Sequence, residues 1–190
     1  KEMKTPEFIH AEYTSEEAVQ ECLDLYRKEQ KRIIPGWSGE VGLTNARAKE
    51  SLDIGFKTNE KIKLPKYFGK LHDIIDNYMR KYPILSLHEE FGHAEGFNIQ
   101  YYRPKQGYYK QHSERMSIRD GHRLLVWMTY LTDTKNAGTH FEYLNWSSEC
   151  KKGLTLIWPT DFPFTHRGVI SQTEDKMIIT GWLGFRKTDE

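Results

Sequence analysis

A histidine and a glutamate that could share one metal ion stand two residues apart in the segment YYKQHSERM, at 108–116. In a β-strand, residues i and i+2 point to the same face, so His112 and Glu114 would project together from one surface. A second histidine, His166, enters a predicted strand 54 residues later. Two imidazoles and one carboxylate on one face of Fe(II) leave open positions for a substrate and oxygen. The pair alone is also typical of a polar strand facing water, so the metal-site interpretation depends on supporting residues.

Three further residues could support such a site. Lys176 lies ten residues after His166, in KMIITGW, and a lysine buried there would need an anionic partner such as a dicarboxylate. Tyr102 lies ten residues before His112, and its hydroxyl could bind the same carboxylate. Thr139 alternates with Phe141 and could face inward beside them. Taken singly, each has an ordinary alternative: a surface lysine, a core tyrosine and a strand threonine.

These residues belong to a C-terminal half that is rich in short strands. From about residue 97, seven segments rich in aromatic and β-branched residues are separated by turn signals, which predicts a sandwich or barrel. They are FNIQYYR, YYKQHSE, RLLVWMTYLT, THFEYL, LTLIWP, FTHRGVI and KMIITGWLGFR.

The N-terminal half predicts two amphipathic helices. The first covers 14–33, with Ser15 or Thr14 as its cap, and the second covers 65–83, with Pro65 near its start. Between them, a segment rich in Gly, Lys and Glu predicts a long mobile loop over 34–60, with a short strand near 52–56. We therefore expect an α+β fold whose helices pack on one sheet, in a single domain over 1–190. Residues 1–96 would form the helical support and 97–190 the strand-rich core.

Bulk composition excludes several classes of protein. Lys plus Arg number 28 against 27 acidic residues, a net charge of +1, so neither nucleic acid nor an anionic membrane is indicated as a partner. Two cysteines, Cys22 and Cys150, are too few for a disulfide framework and favour a reducing compartment such as the cytoplasm. No apolar run approaches the roughly 20 residues that span a bilayer. Composition does not indicate an oligomeric state.

The residues described above fall in the order of a known family. The relevant positions over 97–186 are Tyr102, Gly107, Tyr109, His112, Glu114, Arg123, Tyr130, Leu131, the segment AGTHF at 137–141, His166, Lys176, Thr180 and Trp182. This order resembles the prolyl 4-hydroxylase branch of the Fe(II)/2-oxoglutarate dioxygenases, whose core is a double-stranded β-helix, or jelly roll. One position departs from the family pattern, because Glu114 stands where the family usually has aspartate. Glutamate is longer by one methylene and can still reach a metal.

The resemblance implies roles for the matched positions. Fe(II) would be bound by His112, Glu114 and His166, and the cosubstrate 2-oxoglutarate would be bound by Lys176, Tyr102, Thr139 and Trp182. Lys176 would pair with the distal carboxylate, while Trp182 would pack in the barrel interior. Ascorbate is a further candidate cofactor.

The resemblance also implies a peptide or protein substrate. Its first candidate is a peptidyl proline in a proline-rich segment. Tyr109 would face the substrate side of the mouth, and Arg47 and Trp37, in the 34–60 segment, would grip an extended peptide backbone. Other interpretations remain: a 2-oxoglutarate dioxygenase acting on a different residue or a small molecule, or a jelly-roll module that retains metal without turnover.

Overall fold

A computed structural model describes residues 4–36 and 48–186 of the chain. Two α-helices and eleven β-strands are found in those ranges. The helices are α1 (Glu16–Lys28) and α2 (Pro65–Lys81). The strands are β1 (His10–Tyr13), β2 (Ile34–Pro35), β3 (Leu52–Phe56), β4 (Phe91–Gly92), β5 (Phe97–Tyr102), β6 (Arg123–Tyr130), β7 (Thr139–Phe141), β8 (Trp146–Ser147), β9 (Leu154–Pro159), β10 (His166–Gly168) and β11 (Lys176–Phe185).

Both predicted helices are present and both are shorter than predicted. Ser15 caps α1, since its side chain accepts a hydrogen bond from the backbone N–H of Ala18. The chain then continues as a 3₁₀ helix at Gln30–Arg32. Pro65 is the first residue of α2, where its missing N–H costs nothing, and Pro83 starts a separate 3₁₀ helix beyond its end.

Most of the strands form one large antiparallel sheet. Its order is β1-β9-β6-β11-β5-β3-β2, with β4 also paired to β11. A smaller sheet has the order β10-β7-β8. The α+β organisation predicted from the sequence is confirmed: two helices pack on one face of a largely antiparallel sheet.

The alternation of side chains along β11 divides the interior into two regions. Met177, Ile179 and Leu183 face the helices, in a core that they share with α1 and α2. Lys176, Ile178, Thr180 and Trp182 face the other way, toward the small sheet. Ile178 there joins a second apolar cluster that includes Met128, Trp158 and Phe141. The predicted site residues of β11 therefore lie on the face that looks toward the small sheet.

One predicted strand is wrong in a way that affects the site. Residues 108–114 form no regular strand; they make only isolated bridges, from Tyr108 to Lys49 and from His112 to His166. The predicted long loop over 34–60 is wrong at its start, where residues 34–35 form β2. The short strand predicted near 52–56 is confirmed as β3, paired with β5. Residues 37–47, with Trp37 and Arg47, lie outside the described residues.

Two observations bear on the class of protein. Neither helix in the described part of the chain is long and apolar enough to cross a membrane. Cys22 and Cys150 are both buried and both free.

Candidate metal centre

His112, Glu114 and His166 come together in the lining of a cavity between the two sheets. Oε1 of Glu114 lies 3.2 Å from Nε2 of His112 and 3.0 Å from Nε2 of His166. The backbones of the two histidines are paired, since His112 N–H donates to the His166 carbonyl at 3.0 Å and His166 N–H donates back at 2.9 Å. Among residues 4–36 and 48–186, this is the one group of three potential ligands close enough to share an ion.

Backbone carbonyls hold both imidazoles in the orientation that a metal requires. Nδ1 of His112 contacts the Lys110 carbonyl at 2.9 Å, and Nδ1 of His166 contacts the Phe164 carbonyl at 2.8 Å. A carbonyl accepts, so each Nδ1 carries the proton and each Nε2 keeps its lone pair for a metal. Tyr108 stacks on the ring of His112, with centroids 3.9 Å apart and an interplanar angle of 19°.

The Glu114 carboxylate is held from its other side by Trp182. The indole N–H donates to Oε2 of Glu114 at 2.9 Å. The Arg123 guanidinium covers the Trp182 ring at 4.0 Å and donates to the Glu114 backbone carbonyl at 2.9 Å. Arg123 is itself held by Glu95 through hydrogen bonds of 2.7 and 2.8 Å. These contacts hold the Glu114 side chain in place. A side chain of another length would not reach the same partners at the same distances.

The protonation states suit metal binding. Burial tends to raise the pKa of Glu114, but hydrogen bonds and charge from His112 and His166 outweigh it, and the pKa lies well below its ordinary value. Burial and the neighbouring His112 lower the pKa of His166 below its ordinary value. Two imidazole nitrogens and one ionised carboxylate oxygen match the ligand set of non-haem Fe(II), so the residues fit that ion.

Lys176 lies in the same cavity without an anionic partner among the described side chains. It is 7% exposed, and its Nζ donates to the Gly138 carbonyl at 3.2 Å. The ammonium also lies over the rings of Tyr102 and Tyr130, at 5.8 and 5.7 Å. Burial lowers the pKa of Lys176 to about 8. A buried ammonium with only a carbonyl and two ring faces around it is suited to receive a carboxylate.

The other predicted cosubstrate residues line this cavity, whose volume is about 1110 Å³. Tyr102 is buried and its hydroxyl donates to Oε1 of Gln100. Thr139 is buried as well, and its hydroxyl shares a 2.6 Å hydrogen bond with the hydroxyl of Tyr130. The structure thus brings Lys176, Tyr102, Thr139 and Trp182 to the cavity that holds the three candidate ligands.

Tyr109 is placed elsewhere. Its hydroxyl donates to the Lys105 carbonyl at 2.9 Å and to Glu50 Oε2 at 3.1 Å, and the residue does not line the cavity. Tyr108 lines it instead. The placement of Tyr109 at the mouth was implied by the family resemblance alone. Period-2 alternation would instead put Tyr108 on the same face as His112, which is where the structure has it.

The remaining described histidines are separate from the metal centre. His140 contacts the Ser147 hydroxyl through Nδ1 at 2.8 Å. Nε2 of His72 lies 3.0 Å from Nε2 of His93 on the helical side of the sheet. His10 and His122 contact Glu12 and Glu95 respectively. None of them joins the group of His112, Glu114 and His166.

The lowered pKa of Lys176 predicts how stability depends on pH. Its pKa is about 8 in the folded protein against 10.5 for the free side chain, so the unfolded chain binds more protons between those values. The cost of burying the charge is therefore fully present below about pH 8 and is relieved as pH rises toward 10.5. We expect Lys176→Met to unfold less readily than the wild type at pH 7, by about 3 kcal/mol at most. Thermal unfolding from pH 6 to 10, without 2-oxoglutarate, checks this: the advantage should shrink above pH 8.

The comparisons with known proteins agree with this geometry. Residues 97–184 match the model of the 2OG-Fe(II) oxygenase superfamily. A search of curated proteins gives no match. The match covers β5 to β11 and contains all three candidate ligands.

Solved structures resemble the chain over nearly its whole length. A viral collagen prolyl hydroxylase from Paramecium bursaria Chlorella virus-1, in a 2OG complex, aligns with a TM-score of 0.66 and 16% identity, covering 93% of this chain and 96% of that one. A Pseudomonas putida prolyl-4-hydroxylase gives 0.68 and 12%, covering 95% and 94%. A Trichoplax adhaerens prolyl hydroxylase, in complex with a hypoxia inducible factor peptide fragment, gives 0.67 and 14%, covering 93% and 83%. At these identities, the likeness shows a shared fold.

Proposed function

We propose that the protein is a 2OG-Fe(II) oxygenase, the superfamily whose model matches residues 97–184, and that it hydroxylates a peptidyl residue, with proline as the first choice. Fe(II) and 2-oxoglutarate are the cofactors that this superfamily implies, as the sequence predicted. The observation that carries the proposal is one cavity lined both by the His112–Glu114–His166 group and by Lys176, whose buried ammonium has no anionic partner among the described side chains.

The three candidate ligands and Lys176 would have distinct tasks. His112, Glu114 and His166 would hold Fe(II), and Lys176 would pair with the distal carboxylate of 2-oxoglutarate, with the hydroxyls of Tyr102 and Thr139 nearby. With both bound, the site would support a reaction in which dioxygen supplies both oxygen atoms: one would enter the succinate that 2-oxoglutarate forms on losing carbon dioxide, and the other would become the hydroxyl group on a substrate C–H bond. The chain's own contribution is to position these groups and to limit the access of water.

The two sheets support a jelly-roll assignment for this domain. The large and small sheets enclose an apolar cluster and the cavity, and the paired backbones of His112 and His166 lie where the small sheet meets the segment before β6. This placement brings candidate metal ligands from distant parts of the chain together, as the proposed chemistry requires.

The mouth of the cavity favours a peptide over a small polar metabolite. Ile34, Met116 and Ile118 line it, and all three are exposed, at 49%, 64% and 101%. Apolar side chains at an opening suit a partner that brings apolar surface of its own. The Trichoplax adhaerens neighbour is a prolyl hydroxylase in complex with a peptide. Proline-rich segments are already extended, so little conformational entropy is lost when they dock.

Succinate formation tests the proposal. Protein supplied with Fe(II), 2-oxoglutarate and air should release succinate, and a panel of proline-containing peptides should raise the rate while one of them gains a hydroxyl mass. His140→Ala is a matched control, because that histidine lies outside the ligand group and should leave turnover unchanged. Stimulation by a small molecule but by no peptide would refute the peptide substrate. Absence of any succinate would favour a module that binds metal without turnover.

A further inference from the structure

The two oxygens of the Glu114 carboxylate have different neighbours. Oε1 lies 3.2 Å from Nε2 of His112 and 3.0 Å from Nε2 of His166, so this oxygen faces the other two candidate ligands. Oε2 accepts a hydrogen bond of 2.9 Å from the indole N–H of Trp182. One oxygen is therefore directed at the position where an ion would bind, and the other is held by a neutral donor.

The donor is itself fixed by Arg123. The guanidinium lies 4.0 Å from the centroid of the Trp182 ring and donates to the backbone carbonyl of Glu114 at 2.9 Å, so it contacts both partners of the hydrogen bond. Two hydrogen bonds to the Glu95 carboxylate, of 2.7 and 2.8 Å, hold the guanidinium in turn. Such a bidentate pair has a defined geometry, which leaves the indole little freedom to move away from Oε2.

A glutamate ligand needs this restraint more than an aspartate does. Carboxylates bind metal ions through one oxygen or through both. The additional methylene of glutamate adds a rotatable bond, so the carboxylate of an unrestrained Glu114 could turn both oxygens toward the ion. The hydrogen bond from Trp182 opposes that turn, because Oε2 would have to give up its donor.

The number of ligand atoms matters because the ion must also accept the cosubstrate and dioxygen. Two imidazoles and one carboxylate oxygen occupy one face of Fe(II) and leave the opposite face open. A 2-oxo acid can chelate an ion through its keto oxygen and the adjacent carboxylate oxygen, which leaves a single position for dioxygen. A second oxygen from Glu114 would fill that position.

We propose that Trp182 is a positioning residue that keeps Glu114 bound to Fe(II) through Oε1 alone, an inference that rests on the proposed function. Its N–H satisfies Oε2, so the protein supplies three ligand atoms and the last position stays free for dioxygen. This role differs from the contact with 2-oxoglutarate that the family resemblance implies for Trp182. It also separates the access of dioxygen from the binding of Fe(II) and 2-oxoglutarate.

Nitric oxide binding under argon tests this inference without turnover. Nitric oxide takes the position on Fe(II) that dioxygen would take, and the EPR signal of the adduct reports how much is bound. The protein is loaded with Fe(II) and 2-oxoglutarate and titrated with nitric oxide. Trp182→Phe keeps an aromatic ring beside Arg123 but removes the N–H. Its affinity for nitric oxide should fall about ten- to hundredfold, the range expected when a hydrogen bond to a charged acceptor is lost.

Two further measurements distinguish this effect from damage to the site. Trp182→Phe should bind Fe(II) at least as tightly as the wild type, because a second carboxylate oxygen adds a ligand, and its requirement for 2-oxoglutarate should be unchanged. Trp182→Gln carries an N–H the same number of bonds from the backbone as the indole nitrogen. It should therefore regain part of the affinity for nitric oxide, although it packs less well than phenylalanine.

Trp127→Phe is the matched control. This indole is buried in the core shared with the helices, lies outside the cavity lining, and its N–H has no hydrogen-bond partner among the described residues. The variant should unfold at a lower temperature than the wild type and bind nitric oxide with unchanged affinity.

Three results would overturn the inference. They are equal affinity of the wild type and Trp182→Phe for nitric oxide, a loss in Trp182→Phe that Trp182→Gln does not relieve at all, and a wild type that binds no Fe(II). The last of these would overturn the proposed function as well. Admitting air in the presence of the peptide panel then tests that function separately. Nitric oxide binding that depends on Trp182, without any succinate, would refute the oxygenase and leave the role of Trp182 standing. Succinate formation with nitric oxide binding that ignores Trp182 would do the reverse.

Discussion

Replacing His112 with alanine is expected to abolish Fe(II) binding and succinate formation together. The imidazole is one of three candidate ligands, and its Nε2 lies 3.2 Å from the carboxylate oxygen that the other histidine also approaches. Alanine removes one ligand and also exposes the face of Tyr108 that stacks on the ring. Fe(II) affinity measured under argon, and succinate release in air, should both fall to background. Retention of tight Fe(II) binding by this variant would show that the ion is held elsewhere.

Glu114→Asp tests the carboxylate ligand in the same way. It restores the carboxylate that the resembled family usually has here, but shortens the side chain by one methylene. Glu114 contacts both histidines through Oε1 and Trp182 through Oε2, so aspartate cannot keep every one of these contacts without movement. We expect measurable but reduced turnover, with Fe(II) still bound. Complete loss of Fe(II) binding would mean that this chain has adapted its backbone to glutamate.

Much of the scaffold follows from local patterns. Ser15 and Pro65 mark helix starts that depend only on neighbouring residues. The strand β11 is recognisable because its run of β-branched and aromatic residues after a turn signal is also a local property. The types and spacing of His112, Glu114 and His166 suggested a metal site but also fitted a polar strand, and the order of residues shared with a known family favoured the metal site. Lys176 was proposed on the same two grounds, because a buried lysine needs an anionic partner.

The features that were missed depend on pairing between distant segments. Residues 108–114 look like a strand by composition, but their backbone groups bond to residues near 48 and 166, which no local pattern reveals. Tyr108 stacks on His112 in this segment, whereas Tyr109 does not line the cavity. The place of Asp53 in the cavity lining likewise depends on the register of β3 against β5, more than forty residues away in the sequence.

Lys176→Ala is expected to raise the concentration of 2-oxoglutarate required for half-maximal turnover by about ten- to hundredfold, with little change for Fe(II). The ammonium is buried, and its described partners are the Gly138 carbonyl and two tyrosine ring faces, so a bound carboxylate would gain a charge-assisted hydrogen bond that water barely screens. The candidate iron ligands do not contact Lys176, which is why the two requirements should separate. Titrating each cofactor at saturating levels of the other measures the two effects independently.

The controls separate recognition of the cosubstrate from damage to the fold. Lys176→Met fills more of the volume than alanine does, and should show the same loss for 2-oxoglutarate while unfolding at a higher temperature than the wild type at pH 7. A variant that is more stable and yet binds the cosubstrate less well cannot be explained by disruption of the cavity. Lys152→Ala, at a partly exposed lysine paired with Glu16, should change neither requirement. An equal weakening of Fe(II) and 2-oxoglutarate in both Lys176 variants would mean that the ammonium supports the cavity as a whole, and the assignment of the distal carboxylate to Lys176 would then be wrong.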